Sequence, residues 1–123
     1  MFSLFVKSLY QDNRLHVMDS GLTQLYTLYE EDDEPQAMLC GSREQWERPT
    51  GIAIDADGSL IVADYPTSRL LTVSPTWKFT GQLAADPSCP FVNPEALALN
   101  PLTRELVVHN EGAKEIVKYT LNK

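Results

Sequence analysis

The stretch Pro49-Thr50-Gly51-Ile52-Ala53-Ile54-Asp55-Ala56-Asp57-Gly58-Ser59-Leu60-Ile61-Val62-Ala63-Asp64 sets two short apolar runs on either side of an Asp-Gly pair. Asp-Gly between such runs supplies the positive φ of a tight hairpin, so the stretch predicts two antiparallel strands. The pattern recurs in both directions. Leu15-His16-Val17-Met18-Asp19 stands 45 residues before Leu60-Ile61-Val62-Ala63-Asp64, and Leu106-Val107-Val108-His109-Asn110 stands 46 after it. An apolar run precedes each of these segments, at residues 5–9, 51–55 and 96–100, and a turn lies between the two runs in every case. The turns center on Asp12 and Asn13, on Asp57 and Gly58, and on Leu102 and Thr103. A third run follows at 25–29, 70–73 and 116–121, and a fourth at 36–40 and 78–83, while the last repeat stops at Lys123 before reaching one.

Each run is short, and alternating or β-branched; no window shows a helical period, so the class is all-β. Four short antiparallel strands repeating every 45 residues are the mark of a β-propeller blade, since a sandwich has no reason to repeat its sequence. The expectation is a partial propeller of three four-stranded antiparallel blades, the last lacking its outer strand. It forms a single segment over 1–123, with blades near 3–41, 49–86 and 93–123. Gly51, Ala53, Ala96 and Ala98 are small because the inner strands converge on the channel. Pro49 and Pro94, 45 residues apart, open those strands, where a missing N–H costs the sheet nothing.

With Arg69 and Leu70 after Asp64, and Trp77-Lys78-Phe79 beyond, the second repeat resembles an NHL repeat: Pro-x-Gly-Ile-Ala, a turn ending in Gly, an apolar-Val-Ala-Asp strand, and Arg five residues on. The third repeat has Asn110 and Glu115 at the Asp and Arg places, and the first has Asp19 and Gln24. Asp64, Arg69, Asp19 and Asn110 are read as structural strand-end residues, with the Asp64 carboxylate accepting N–H groups of the following turn and holding Arg69. The resemblance implies a surface that binds proteins or RNA, commonly as the C-terminal domain of a tripartite-motif ubiquitin ligase. This chain carries no RING or B-box zinc cysteines, so it is expected to act as a non-catalytic interaction module without cofactor.

Charge selects between those partners. With 17 acidic and 10 basic residues the formal net charge is -7, which repels phosphate backbones and anionic membranes, so a protein partner is expected and RNA is not. The acidic run at 30–34 reads as a solvated loop. Cys40 and Cys89 are too isolated for a zinc site or a disulfide framework, and Lys7 interrupts the apolar start before a signal-peptide core forms, so a cytoplasmic setting is expected.

The rival class is one part of a metal-dependent, lactonase- or lyase-like propeller enzyme, with Glu95, Asn100 and Asp55 cast as channel-mouth ligands. His16 and His109 sit on second strands two blades apart, where their offset is expected to turn them to opposite faces. Trp46 and Trp77 are expected either to pack between blades or to anchor a binding face. Three blades leave both end faces bare, the third leaves an open edge at 116–121, and residues 2–5 are apolar. A homodimer completing a six-bladed ring, or a piece of a longer chain, is expected.

Overall fold

The computed structural model describes residues 6–11, 14–19, 24–40 and 46–121. It is all-β, with three antiparallel meanders. The first sheet runs β1 (Val6–Gln11), β2 (Arg14–Asp19), β3 (Gln24–Glu31), β4 (Glu34–Cys40), and the second β5 (Pro49–Ile54), β6 (Leu60–Asp64), β7 (Arg69–Val73), β8 (Phe79–Leu83). The third holds β9 (Pro94–Asn100), β10 (Glu105–Asn110) and β11 (Glu115–Thr120), with β11 at its edge. Among the described residues the only helical pieces are two three-residue 3-10 turns, Tyr65–Thr67 and Glu111–Ala113.

The hairpins follow their turn chemistry. Gly58 takes φ +90, and its N–H reaches the Asp55 carbonyl at 3.0 Å, while the Asp55 N–H closes the turn on Ser59 at 2.8 Å. In the third blade the left-handed position falls on Arg104, with φ +62, and the Asn100 side chain accepts the Leu102 and Thr103 amides at 3.0 and 3.3 Å. The expected turn at Asp12 and Asn13, and the apolar residues 2–5, lie outside the described residues. The acidic run is not a loop. β3 continues to Glu31 and β4 starts at Glu34, so the run is the tip of a two-residue hairpin in which Asp32 and Asp33 have φ +53 and +62. Positive φ at both central residues is the hairpin turn that Asp tolerates well.

Packing is blade on blade. Leu25 and Trp46 meet Ile52, Leu60, Val62, Leu71 and Val73 between the first and second sheets. Ala53, Ile61, Ala63 and Leu70 meet Leu106 and Val108 between the second and third. Because neighbors in a strand point to opposite faces, β6 sends Leu60 and Val62 one way and Ile61 and Ala63 the other. Both faces are covered, which is why Leu60 to Ala63 is an unbroken apolar run.

The inner strands β5 and β9 approach closely. A Cβ on Gly51 would lie 2.8 Å from the Glu95 carbonyl oxygen, so no larger residue fits without a shift, and the Thr50 hydroxyl donates to the Pro94 carbonyl at 2.9 Å across the same gap. Each inner strand carries an irregularity at the matching place, opposite Asp64 in one blade and Asn110 in the other, just after its proline. An extra residue there bends the strand as it leaves the incoming loop.

Candidate functional site

At one end of the sheets, β6 and β10 finish at Asp64 and Asn110, and each is followed by a 3-10 turn closed by a left-handed residue, Ser68 or Lys114, both with φ +55. The Asp64 carboxylate is fully buried. It accepts the Glu47 N–H at 3.0 and 3.1 Å, the Arg48 N–H at 2.7 Å and the Thr67 hydroxyl at 2.7 Å, and an Arg69 guanidinium nitrogen stands 3.5 Å away. The amides therefore come from the loop that leads into the blade, not from the following turn, which supplies a hydroxyl instead. Arg69 also donates from Nε to the Thr67 hydroxyl at 2.9 Å, so the charge pair is bridged by Thr67.

Asn110 does the same job with different chemistry. Its side-chain oxygen accepts the Val92 N–H of the next lead-in loop at 3.0 Å, and its amide nitrogen donates to the Tyr119 hydroxyl at 3.1 Å. A neutral amide needs no cation, and Glu115, at the place of Arg69, is exposed. Asp19 ends β2, where its backbone pairs with Gln24 and Val6; its side chain is outside those described.

Over the junction of the second and third blades these loops set a row of polar side chains. The Asn93 N–H donates to the Ser68 hydroxyl at 3.0 Å, and the Asn93 amide to the Tyr65 carbonyl at 2.9 Å. The Tyr65 hydroxyl donates to the Glu111 carboxylate at 2.5 Å, and the Arg48 guanidinium lies 5.3 Å from the center of the Tyr65 ring. Hydrogen bonding to the Glu111 carboxylate, with burial and the same negative charge adding to it, holds the Tyr65 phenol above its ordinary range. Arg48 is exposed and Tyr65 and Glu111 are half-buried, so a cation, an aromatic ring and a carboxylate present themselves together. Sequence reading passed over Arg48, Tyr65, Asn93 and Glu111. A signal existed: Tyr65 and Glu111 each follow the strand-end residue of their repeat.

The residues cast as channel-mouth ligands are divided. Asp55 and Asn100 stand at the opposite end of the sheets, where Asp55 is buried, accepts the Ala56 N–H at 2.7 Å and pairs with Arg104 across the two blades. Glu95 is at the other end of β9, with its carboxylate 4.0 Å from the His109 imidazole. No group of three His, Cys, Asp or Glu residues able to hold a metal ion occurs among the described residues.

His16 is buried against the second blade, with Nδ1 2.8 Å from the Thr27 hydroxyl, and burial, with the Arg14 charge adding, lowers its pKa. His109 lies on the corresponding face of the third sheet. The expectation of opposite faces is corrected: the two places differ by two residues, and a pleat of period two keeps the face. Trp46 is only 2% exposed, so it belongs to the interblade core and presents no binding surface. Trp77 is half-buried, stacked 5.4 Å from Tyr29 with the Arg14 guanidinium 4.9 Å from its ring center, and ties the outer parts of the first two blades together. Cys89 Sγ is 3.8 Å from the Tyr119 hydroxyl, and the side chain of Cys40 is outside those described.

Residues 47–72 match the NHL repeat. No curated protein matches the sequence. Among solved structures, a protein of unknown function from Bacteroides thetaiotaomicron superposes with TM-score 0.74 at 17% identity, over 94% of this chain and 34% of that one. The Cps50 (Swd1) β-propeller domain of Myceliophteria thermophila gives 0.67 at 14%, over 96% and 38%. A catalytically inactive virginiamycin B lyase from Staphylococcus aureus with quinupristin gives 0.63 at 18%, over 91% and 36%. The chain thus spans little more than a third of the length of these structures, and at such identities they speak for the fold alone. With its sheets arranged as consecutive blades and an NHL repeat matched at 47–72, the chain has the fold of a partial β-propeller and carries one segment like the NHL repeat.

Proposed function

We propose that this chain is a non-catalytic protein–protein interaction module whose contact surface is the strand-end face around Arg48, Tyr65 and Glu111. One observation carries the reading: Asp64 and Asn110, the polar residues best placed for chemistry, are spent on the lead-in loops, and what they hold outward is an arginine stacked on a tyrosine. Arg and Tyr are the residue types that dominate binding energy at protein interfaces. The net charge of -7 favors a protein over RNA. In this reading the chain is a fragment or adaptor related to tripartite-motif/NHL ubiquitin-ligase proteins, working in the cytoplasm. No helix among the described residues is long and apolar enough to cross a membrane.

The test compares proteins retained from a lysate by the immobilized chain and by an Arg48→Glu/Tyr65→Ala variant. A discrete set lost on substitution, with an unchanged melting midpoint, supports the reading; an identical set on both overturns it. The likeness to virginiamycin B lyase favors a second reading, part of a propeller enzyme, for which the assay is lyase or lactonase turnover by the chain.

A further inference from the structure

Among the described arginines, one has no oxygen to hold. Arg69 commits its guanidinium to Thr67 and Asp64, Arg104 to Asp55, and Arg14 to the Pro75 carbonyl at 3.1 Å. Arg48 differs. It joins no ion pair among the described residues, and its guanidinium donates no hydrogen bond there; the Tyr65 ring, with its center 5.3 Å away, is what supports it.

That support is itself anchored. The Arg48 backbone N–H is fixed on the buried Asp64 carboxylate at 2.7 Å. The Tyr65 hydroxyl donates to Glu111 at 2.5 Å, and the Tyr65 carbonyl accepts the Asn93 amide at 2.9 Å and the Ser68 N–H at 3.4 Å. An arginine pays side-chain entropy when it is ordered on binding, and a guanidinium already stacked on a fixed ring has less of it to lose. Arg48 is exposed, so its N–H groups stay open to a partner.

A guanidinium fork matches a planar anion, and a carboxylate takes two parallel N–H···O bonds from it. A phosphate dianion would bring twice the charge to a neighborhood that already holds Glu47, next to Arg48 in the chain, and Glu111, bonded to the Tyr65 hydroxyl, on a chain of net charge -7. A single carboxylate meets less repulsion. At physiological salt the more distant acidic residues are screened beyond about 8 Å, which leaves the contact geometry to decide.

We propose that Arg48 is the seat for one carboxylate of the protein partner, an acidic side chain or a chain terminus, held by the guanidinium fork with Tyr65 as its platform. The inference rests on the interaction reading above and adds the chemistry of what is bound.

Titration with defined peptides tests it. The probe is an N-acetylated, C-amidated pentapeptide of glycine and serine with one central glutamate, followed through the Tyr65 ring and Arg48 Nε–H resonances at about 0.15 M salt. The same peptide with glutamine is the control, and the glutamine peptide with a free C-terminus supplies the other source of a carboxylate. The expected result is a saturable shift with a carboxylate peptide and none with the control, and the tighter of the two carboxylate peptides identifies the source. Arg48→Lys keeps the charge but loses the planar fork, and should weaken binding about ten-fold while strand content by circular dichroism is unchanged. Resonances indifferent to both carboxylate peptides, an equal response to the control, or undiminished binding by Arg48→Lys would each overturn the proposal. So would inorganic phosphate displacing the glutamate peptide more strongly than acetate does. The two readings fail separately: proteins lost from the lysate set with Arg48→Glu/Tyr65→Ala beside silent peptides would keep the contact surface and discard its carboxylate, whereas bound peptides beside an unchanged lysate set would keep the seat and discard the surface.

Discussion

The second and third blades are built on one plan, yet they differ in what each strand can hide. All five residues of β6 are buried, whereas β10 alternates, with Leu106, Val108 and Asn110 buried and Val107 and His109 turned outward. The second blade has a neighbor on each side and the third, within this chain, has one. Burial here is therefore a property of position in the stack. That position is already reflected in composition, since the forward face has His109 where the second blade has Ala63.

The sharpest way to break this comparison is to truncate the same place in both blades. Leu70→Ala should destabilize by about 2–5 kcal/mol, the range for emptying a buried leucine site. Ile116→Ala, measured in denaturant, should stay within about 0.5 kcal/mol. Equal losses would mean that the forward face of the third blade is covered.

The strand-end residues give a smaller contrast. Asp64→Ala should cost about 1–3 kcal/mol by stranding the Glu47 and Arg48 amides, and Asn110→Ala should fall toward the lower end because it strands one amide, that of Val92. Thermal melts rank them, and an unchanged midpoint for Asp64→Ala would show that the lead-in loop does not depend on its carboxylate.

Inner-strand crowding comes next. Gly51→Ala pushes a methyl toward the Glu95 carbonyl and should cost about 1–2 kcal/mol, while Ala96→Ser at the exposed counterpart should be close to neutral. A stable Gly51→Val chain would show that β5 and β9 can part freely.

The smallest effect is expected from His16, in the interface between the first two blades. Its folded-state pKa is depressed by burial, with Arg14 adding, so the imidazole is neutral in the folded chain. The stability tied to that neutral form is complete above the unfolded pKa of about 6.5 and is lost as pH falls below it toward the folded value. His16→Gln should flatten the fall in melting midpoint between pH 7 and pH 5, ahead of most carboxylate titration. An identical fall in the variant would assign the acid sensitivity elsewhere.

The repeat, the strand order within each blade and the turn at Asp57-Gly58 are legible in the linear sequence, because a period of 45, alternation and positive φ are local matters. The small residues at Gly51 and Ala53 likewise point to an inner strand. The acidic run misled for a local reason as well: charge argues for solvent, and a hairpin tip is as solvated as a loop. Other features depended on the stacking of blades. The amides that Asp64 binds lie 16 and 17 residues before it, and Tyr65 meets Glu111 across 46. Whether a tryptophan fills a core, as Trp46 does, or spans an outer seam, as Trp77 does, also depends on which blade stands beside it. No periodicity records such encounters, because they arise only when one sheet is laid against the next, and it is that packing which turns three similar sequences into two shared cores.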